Sequence, residues 1–209
     1  MRCGACCRLS AITVLPHEVL VLRRIAKEKG VKVNFKEGYM VYDEVSGTNI
    51  VLSYHMLLDN GKCPFLNNGS CLVHFEYKPL TCRSFPYVPK EILYMINEDA
   101  KIIFHKSKYG LSTACEFVKK YSRKIEELLG NHSIAEIMPV EYKHALEAEQ
   151  WRRWYMRMLT LLWNTGLVNL SSKPNPTSRN VNAYEFIVAR LVLLRILTSR
   201  KRWSRDDEI

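Results

Sequence analysis

The sequence predicts an α+β fold: a small cysteine-rich domain of short antiparallel hairpins and helices over residues 1–130, followed by a basic helical extension over 131–209 packed on it. Three observations carry this prediction. Six of the seven cysteines fall in two tight groups, Cys3, Cys6 and Cys7 in MRCGACCR, and Cys63, Cys71 and Cys82 in KCPFLNNGSCLVHFEYKPLTCRSFP. Between and after these groups, β-favouring runs are paired across turn signals. From residue 140 onward the apolar period changes to the 3.6 of helices.

The elements follow in order. Residues 9–15 (LSAITVL) read as a short strand that ends at Pro16. Pro16 suits the first turn of a helix, where a missing N–H costs nothing. Val19, Leu20, Leu22, Ile25 and Ala26 recur at helical spacing until Gly30, which predicts a helix over 16–29. YMVYDE (39–44) and NIVLSY (49–54) flank Ser46-Gly47 as a hairpin, and Asp59-Asn60-Gly61 turns the chain toward Cys63. Residues 63–86 are punctuated by Pro64, Pro79 and Pro86 and read as loop-rich. ILYMIN (92–97) and KIIFH (101–105) form a second hairpin. The spacing predicts one amphipathic helix over 113–129, with Cys115 in its first turn, and a short turn or helix over 133–137. A long helix over 140–165 carries Trp151, Trp154, Tyr155, Met158, Leu159, Leu162 and Trp163 and stops at Gly166. SSKPNPTSRN (171–180) reads as a loop, and a last helix runs from Val181 to about Trp203.

Composition bounds the function. Hydrophobic residues make up 47% of 209, enough for a packed core without covalent staples. The net charge of +10 admits an acidic partner, such as nucleic acid, an anionic surface or a phosphorylated ligand. From Trp151 to Ile209 there are eleven Lys or Arg against four Asp or Glu, ending in the basic run Arg200, Lys201, Arg202 and Arg205. No recognition-helix or RNP-type motif accompanies this charge, so nucleic acid is permitted by charge but unsupported by motif. No apolar run approaches a transmembrane segment, and no secretory h-region precedes the first cysteines. These features point to the cytoplasm. In that reducing compartment clustered cysteines bind metals or do redox chemistry more often than they form disulfides. An odd count of seven also suits a disulfide framework poorly.

Cys3-Gly-Ala-Cys6 is a C-x-x-C pair, whose tight turn can present two thiolates to one metal. A redox motif of thioredoxin type expects a strand before it and a helix after it; here the pair opens the chain and a strand follows. Cys7 adjoins Cys6, and in extended backbone the two would point to opposite faces. Cys63, Cys71 and Cys82 lie among rigid turns, with no long helix to bury them. One such cysteine reads as a small core hydrophobe; six in two groups read as a coordination scaffold. His74 follows Cys71 by three residues and could ligate. Arg2, Arg8 and Arg83 could balance a negatively charged cluster. Four thiolates suit a closed zinc site or an iron–sulfur cluster, although the spacing matches neither ferredoxin type. More than four available cysteines favours the cluster.

These residues resemble the YkgJ-type cysteine-cluster family, whose members are associated with zinc or iron chelation and with iron–sulfur oxidoreductases. Cys63, Pro64, Phe65, Leu66, Cys71, Tyr77, Pro79, Cys82, Arg83, Phe85 and Pro86 fall on its second motif, and the likeness covers roughly residues 1–90 and extends toward 115. Relatives carry a further cysteine three residues before the position of Cys3, a place this chain begins too late to hold. They also carry a later cysteine-Pro-Gly, which Cys115 matches only loosely because Glu116 and Phe117 follow it. The resemblance implies that Cys3, Cys6, Cys7, Cys63, Cys71 and Cys82 bind an iron–sulfur cluster or zinc, with an electron-transfer or oxidoreductase role and an unknown redox partner. The alternative is a zinc-stabilised binding module whose basic helical C-terminus meets an acidic macromolecular partner.

Overall fold

The computed structural model describes residues 4–9 and 11–193. Cys3, Arg2 and the basic run from Arg200 to Arg205 lie outside the described residues. The order begins with a 3-10 turn (Ala5–Arg8), strand β1 (Ile12–Val14) and helix α1 (Pro16–Glu28). Strands β2 (Phe35–Glu37), β3 (Met40–Asp43), β4 (Thr48–Val51), β5 (Tyr54–Met56), β6 (Leu66–Asn67) and β7 (Ser70–Cys71) follow, then α2 (Leu80–Ser84). A long hairpin, β8 (Tyr87–Asn97) and β9 (Ile102–Leu111), leads to α3 (Glu116–Lys120), α4 (Ser122–Asn131), α5 (Ile134–Ile137) and α6 (Pro139–Asn164). Strands β10 (Leu170–Ser171) and β11 (Arg179–Asn182) precede helix α7, described over 183–193. The fold is α+β, with short, mainly antiparallel sheets and a helical C-terminal section.

The long helices obey local punctuation. Pro16 opens α1, and Gly30, at φ 64°, closes it: Val31 N–H reaches Ala26 C=O and Gly30 N–H reaches Lys27 C=O. That pair of bonds is a Schellman motif, which needs a left-handed residue. The same motif ends α6, with Gly166 at φ 74° and bonds from Leu167 and Gly166 to Leu162 and Trp163.

The four-stranded sheet has the order β10-β3-β4-β11, with β11 parallel to β4 and the other pairs antiparallel. Successive strand residues face opposite sides, and this sheet uses both. Ile50 and Leu52 enter a core with Tyr155, Leu159, Leu162 and Trp163 of α6. Val51 enters a second core with Leu22 and Ile25 of α1 and with Cys63 and Phe65. Full burial of an aliphatic side chain contributes about 1.5–3 kcal/mol, and Leu159 and Leu162 are both 0% exposed. The second core also covers the three-stranded sheet β1-β5-β2. Asn182 Nδ2 donates to Pro16 C=O at 2.9 Å, which ties β11 to the start of α1.

Three elements depart from the sequence expectation. The helix expected over 113–129 is two helices, broken at Tyr121 (φ −113°, ψ 22°). Within 171–180, expected as loop, Ser171 ends β10 and Arg179 opens β11, and Val181 and Asn182, expected in the last helix, complete β11, so both strands add edges to the central sheet. Buried Asn49 supplies the hidden instruction: its Oδ1 accepts from Asn175 N–H at 2.9 Å and its Nδ2 donates to Asn175 C=O at 2.8 Å. The hairpin expected over 92–105 spans 87–111, because β8 and β9 continue pairing past a bulge between Pro89 and Glu91.

Candidate metal centre

The N-terminal arm is set by Gly4, whose φ of 66° starts the 3-10 turn, with Cys7 N–H bonded to Gly4 C=O at 3.1 Å. A Cβ on Gly4 would stand 3.6 Å from Leu66 Cδ1, so the arm lies close against the second cysteine block. The helical turn corrects the extended-backbone expectation for Cys6 and Cys7. Their side chains are not driven to opposite faces, and both line the same cleft. Cys63 N–H donates to Cys7 C=O at 2.7 Å, which joins the two blocks through main chain.

The second block is a series of tight turns. Asn60 and Gly61, both at positive φ, reverse the chain between Asp59 and Lys62 and deliver Cys63. Leu66 N–H bonds back to Cys63 C=O at 2.9 Å. Asn68 (φ 47°) and Gly69 (φ 77°) then form the two-residue loop between β6 and β7, the Asn-Gly pattern a type I′ turn requires. This hairpin pairs Leu66 with Cys71. His74 N–H bonds to Cys71 C=O at 3.1 Å, and the His74 side chain lines the cleft.

Cys82 comes from α2, which is held by a residue far away in sequence. Glu18, 0% exposed in α1, accepts Leu15 N–H at Oε2 (2.8 Å) and Leu80 N–H at Oε1 (2.7 Å), with Tyr77 Oη donating to Oε1 at 3.3 Å. One carboxyl thus caps α1 and fixes the first residue of the helix that carries Cys82. Burial pushes its carboxyl above the ordinary value, against these three donors, which favour the anion.

Five thiols of the two cysteine blocks, those of Cys6, Cys7, Cys63, Cys71 and Cys82, therefore line one cleft, which Cys115 lines too, and all six are free. The thiols of Cys6, Cys7 and Cys63 perturb one another. Interaction with Cys7, together with burial, pushes the Cys6 thiol well up. For Cys7, interaction with Cys6 favours the thiolate, but interaction with Cys63 and burial prevail and raise it to about 11. Interaction with Cys7 pulls Cys63 down despite burial, and burial pushes Cys82 up. The physical content is that thiolates crowded in a partly buried site repel one another, and a bound cation removes that cost. Lys78 already favours the thiolates of Cys6 and Cys82.

The donors fit zinc or iron in kind, because thiolates are the soft ligands these metals take. They do not form a preset cage: among the described residues, no three His, Cys, Asp or Glu side chains stand ready to hold an ion together. Two of the arginines expected to balance charge can be placed. Arg8 is exposed, and Arg83 spends its Nε on Lys78 C=O (2.6 Å) and lies 5.4 Å from the centre of the Tyr77 ring, bracing the loop before α2. Cys115 is buried at the start of α3, packed with Val118 and Ile125 against Phe85. The sequence reading missed Lys78 and Glu18. Glu18 had one signal, a Glu at the third helical position after Pro16, the place of a capping carboxylate.

Residues 1–116 match the model of the CxxCxxCC family, described as "Putative zinc- or iron-chelating domain". No curated protein and no solved structure matches the chain. Among the described residues, no helix is long and apolar enough to cross a membrane. The family match covers more than half of the chain and both cysteine blocks, and the chain belongs to this zinc- or iron-chelating family, the YkgJ-type cysteine-cluster proteins.

Proposed function

We propose that Cys6, Cys7, Cys63, Cys71 and Cys82, with Cys3, hold an iron–sulfur cluster and that the protein exchanges electrons with a partner in the cytoplasm. The observation that carries this reading is the convergence of five thiols from three chain segments on one cleft. Five exceeds the four a closed zinc site needs. When bound, such a cluster supplies one-electron transfer. The chain's own residues supply the rest. The 3-10 turn, the β6–β7 loop and α2 hold the thiols, Lys78 offsets their negative charge, and the second hydrophobic core limits access of water from behind. A reducing compartment keeps these thiols available as ligands.

The competing reading is a zinc-stabilised binding module. It is favoured by the packing of Cys7, Cys71 and Cys82 against the core that contains Cys63, a role suited to a structural ion that locks the N-terminal arm in place. Purification without oxygen followed by visible absorption separates the two. A brown protein that bleaches on reduction supports the cluster. A colourless protein with one equivalent of zinc and no iron overturns it.

A further inference from the structure

The cleft that receives the cysteines is much larger than a metal centre needs. Its volume is about 1220 Å³, above the roughly 300–1,000 Å³ of pockets that bury small organic molecules, so it has room for one beside the thiols. Beyond the cysteines its wall continues through Phe85, Phe117, Tyr121, Leu128 and Met138, contributed by the end of α2, by α3 and α4, and by the residue preceding α6. Helix α2 joins the two parts. Cys82 packs against the core around Cys63, and Phe85, three residues on, packs against the separate cluster of Cys115, Val118 and Ile125.

The character of this second part is specific. The rings of Phe117 and Tyr121 lie 5.0 Å apart, and both line the cleft while remaining 43% and 38% exposed. Exposed aromatic surface gathered in a concavity marks a binding site, whereas isolated exposed apolar residues do not. The charged lining residues cancel, with Lys78 and Lys124 against Glu116 and Glu141, so the walls show no excess of either sign.

We propose that the part of the cleft between Phe85, Phe117, Tyr121 and Met138 binds a neutral, largely apolar small molecule, aromatic or branched aliphatic, with one end toward the cysteines. The inference extends the metal reading by giving the centre a neighbouring ligand, and it holds whichever metal the thiols take.

The test titrates the full chain, as purified without oxygen, with the neutral probe N-phenyl-1-naphthylamine and counts iron and zinc on the same samples. The expected result is one saturable site with enhanced, blue-shifted emission. Phe117→Asp should weaken it roughly tenfold, as loss of an aromatic contact does, with metal content unchanged. Should Phe117→Asp fail to fold, Phe117→Ala and Tyr121→Ala carry the comparison, since both positions are partly exposed. Leu161→Asp, on an exposed α6 position outside the cleft, should bind the probe like the parent. Full metal content without saturable binding, or equal affinity in parent and cleft variants, overturns this proposal alone. Saturable binding in a protein free of iron and zinc overturns the metal reading and leaves the cleft assignment standing.

Discussion

Replacing Glu18 with alanine would leave Leu15 N–H, Leu80 N–H and the Tyr77 hydroxyl without the acceptor they share. A buried donor left unpaired costs about 1–3 kcal/mol. The two backbone donors together therefore cost about 2–6 kcal/mol by the same principle. Part of this is returned, because burial already disfavours the Glu18 anion, so a net loss of about 2–4 kcal/mol is expected. Glu18→Gln should lose less, since its amide oxygen still serves one N–H while its NH2 faces the other. Urea melts read the first effect as a lower midpoint at unchanged slope. Metal per chain reads the second, because releasing Leu80 N–H frees the start of the helix that carries Cys82. An unchanged midpoint in Glu18→Ala would refute the hydrogen-bond reasoning. A lower midpoint with full metal content in the folded protein would refute the claim that Glu18 positions Cys82.

Cys63→Ser, Cys71→Ser and Cys82→Ser should each lower bound metal, measured by elemental analysis; full content in all three would remove them as ligands. His17 is stacked on Trp151 at 4.0 Å and bonded to Tyr155 Oη at 2.8 Å, and burial lowers its imidazole to about 4. The unfolded chain takes up that proton near pH 6.5 and the folded chain only near 4, so this contribution is complete above about 6.5 and is lost as pH falls toward 4. Urea melts across this window should show His17→Phe with a shallower acid loss than the parent, and parallel curves would count against it. Gly69→Val should cost about 1–2 kcal/mol, because φ there is 77° and a branched residue is strained in that region. Arg152→Met should cost about 3–5 kcal/mol in the same melts, because it breaks a buried ion pair. Arg152 is 2% exposed, and its Nη1 donates to Glu149 (2.5 Å) and Tyr109 (3.0 Å), beside the 2.8 Å bond of His105 to Glu149.

Where local chemistry decides structure, the chain was legible. Pro16 and Gly30 bracket α1, Pro139 and Gly166 bracket α6, and Asn68-Gly69 fixes the β6–β7 loop. The grouping of Cys6 and Cys7 with Cys63, Cys71 and Cys82 on one cleft was legible too, because the spacing of cysteines among Pro and Gly turns carries it. What stayed hidden depends on contacts between distant residues. No Gly or Pro announces the break at Tyr121; the short α3 accompanies the packing of Val118 beside Cys115, Ile125 and Phe85. Strands β10 and β11 are only two and four residues long, with Leu170 and Val181 their sole apolar residues, and they form because β3, β4 and the Asn49 side chain offer them partners. Glu18 would count as an ordinary charged helix residue until the fold places Leu80 N–H 2.7 Å from it.

X-ray absorption at the metal edges of protein purified without oxygen measures sulfur ligation of iron by these cysteines directly. A cluster held by these thiols gives an iron edge, a first shell of sulfur and an iron–iron distance, all diminished in Cys63→Ser. A zinc edge with a sulfur shell and no iron, or an iron shell of oxygen and nitrogen alone, would contradict it.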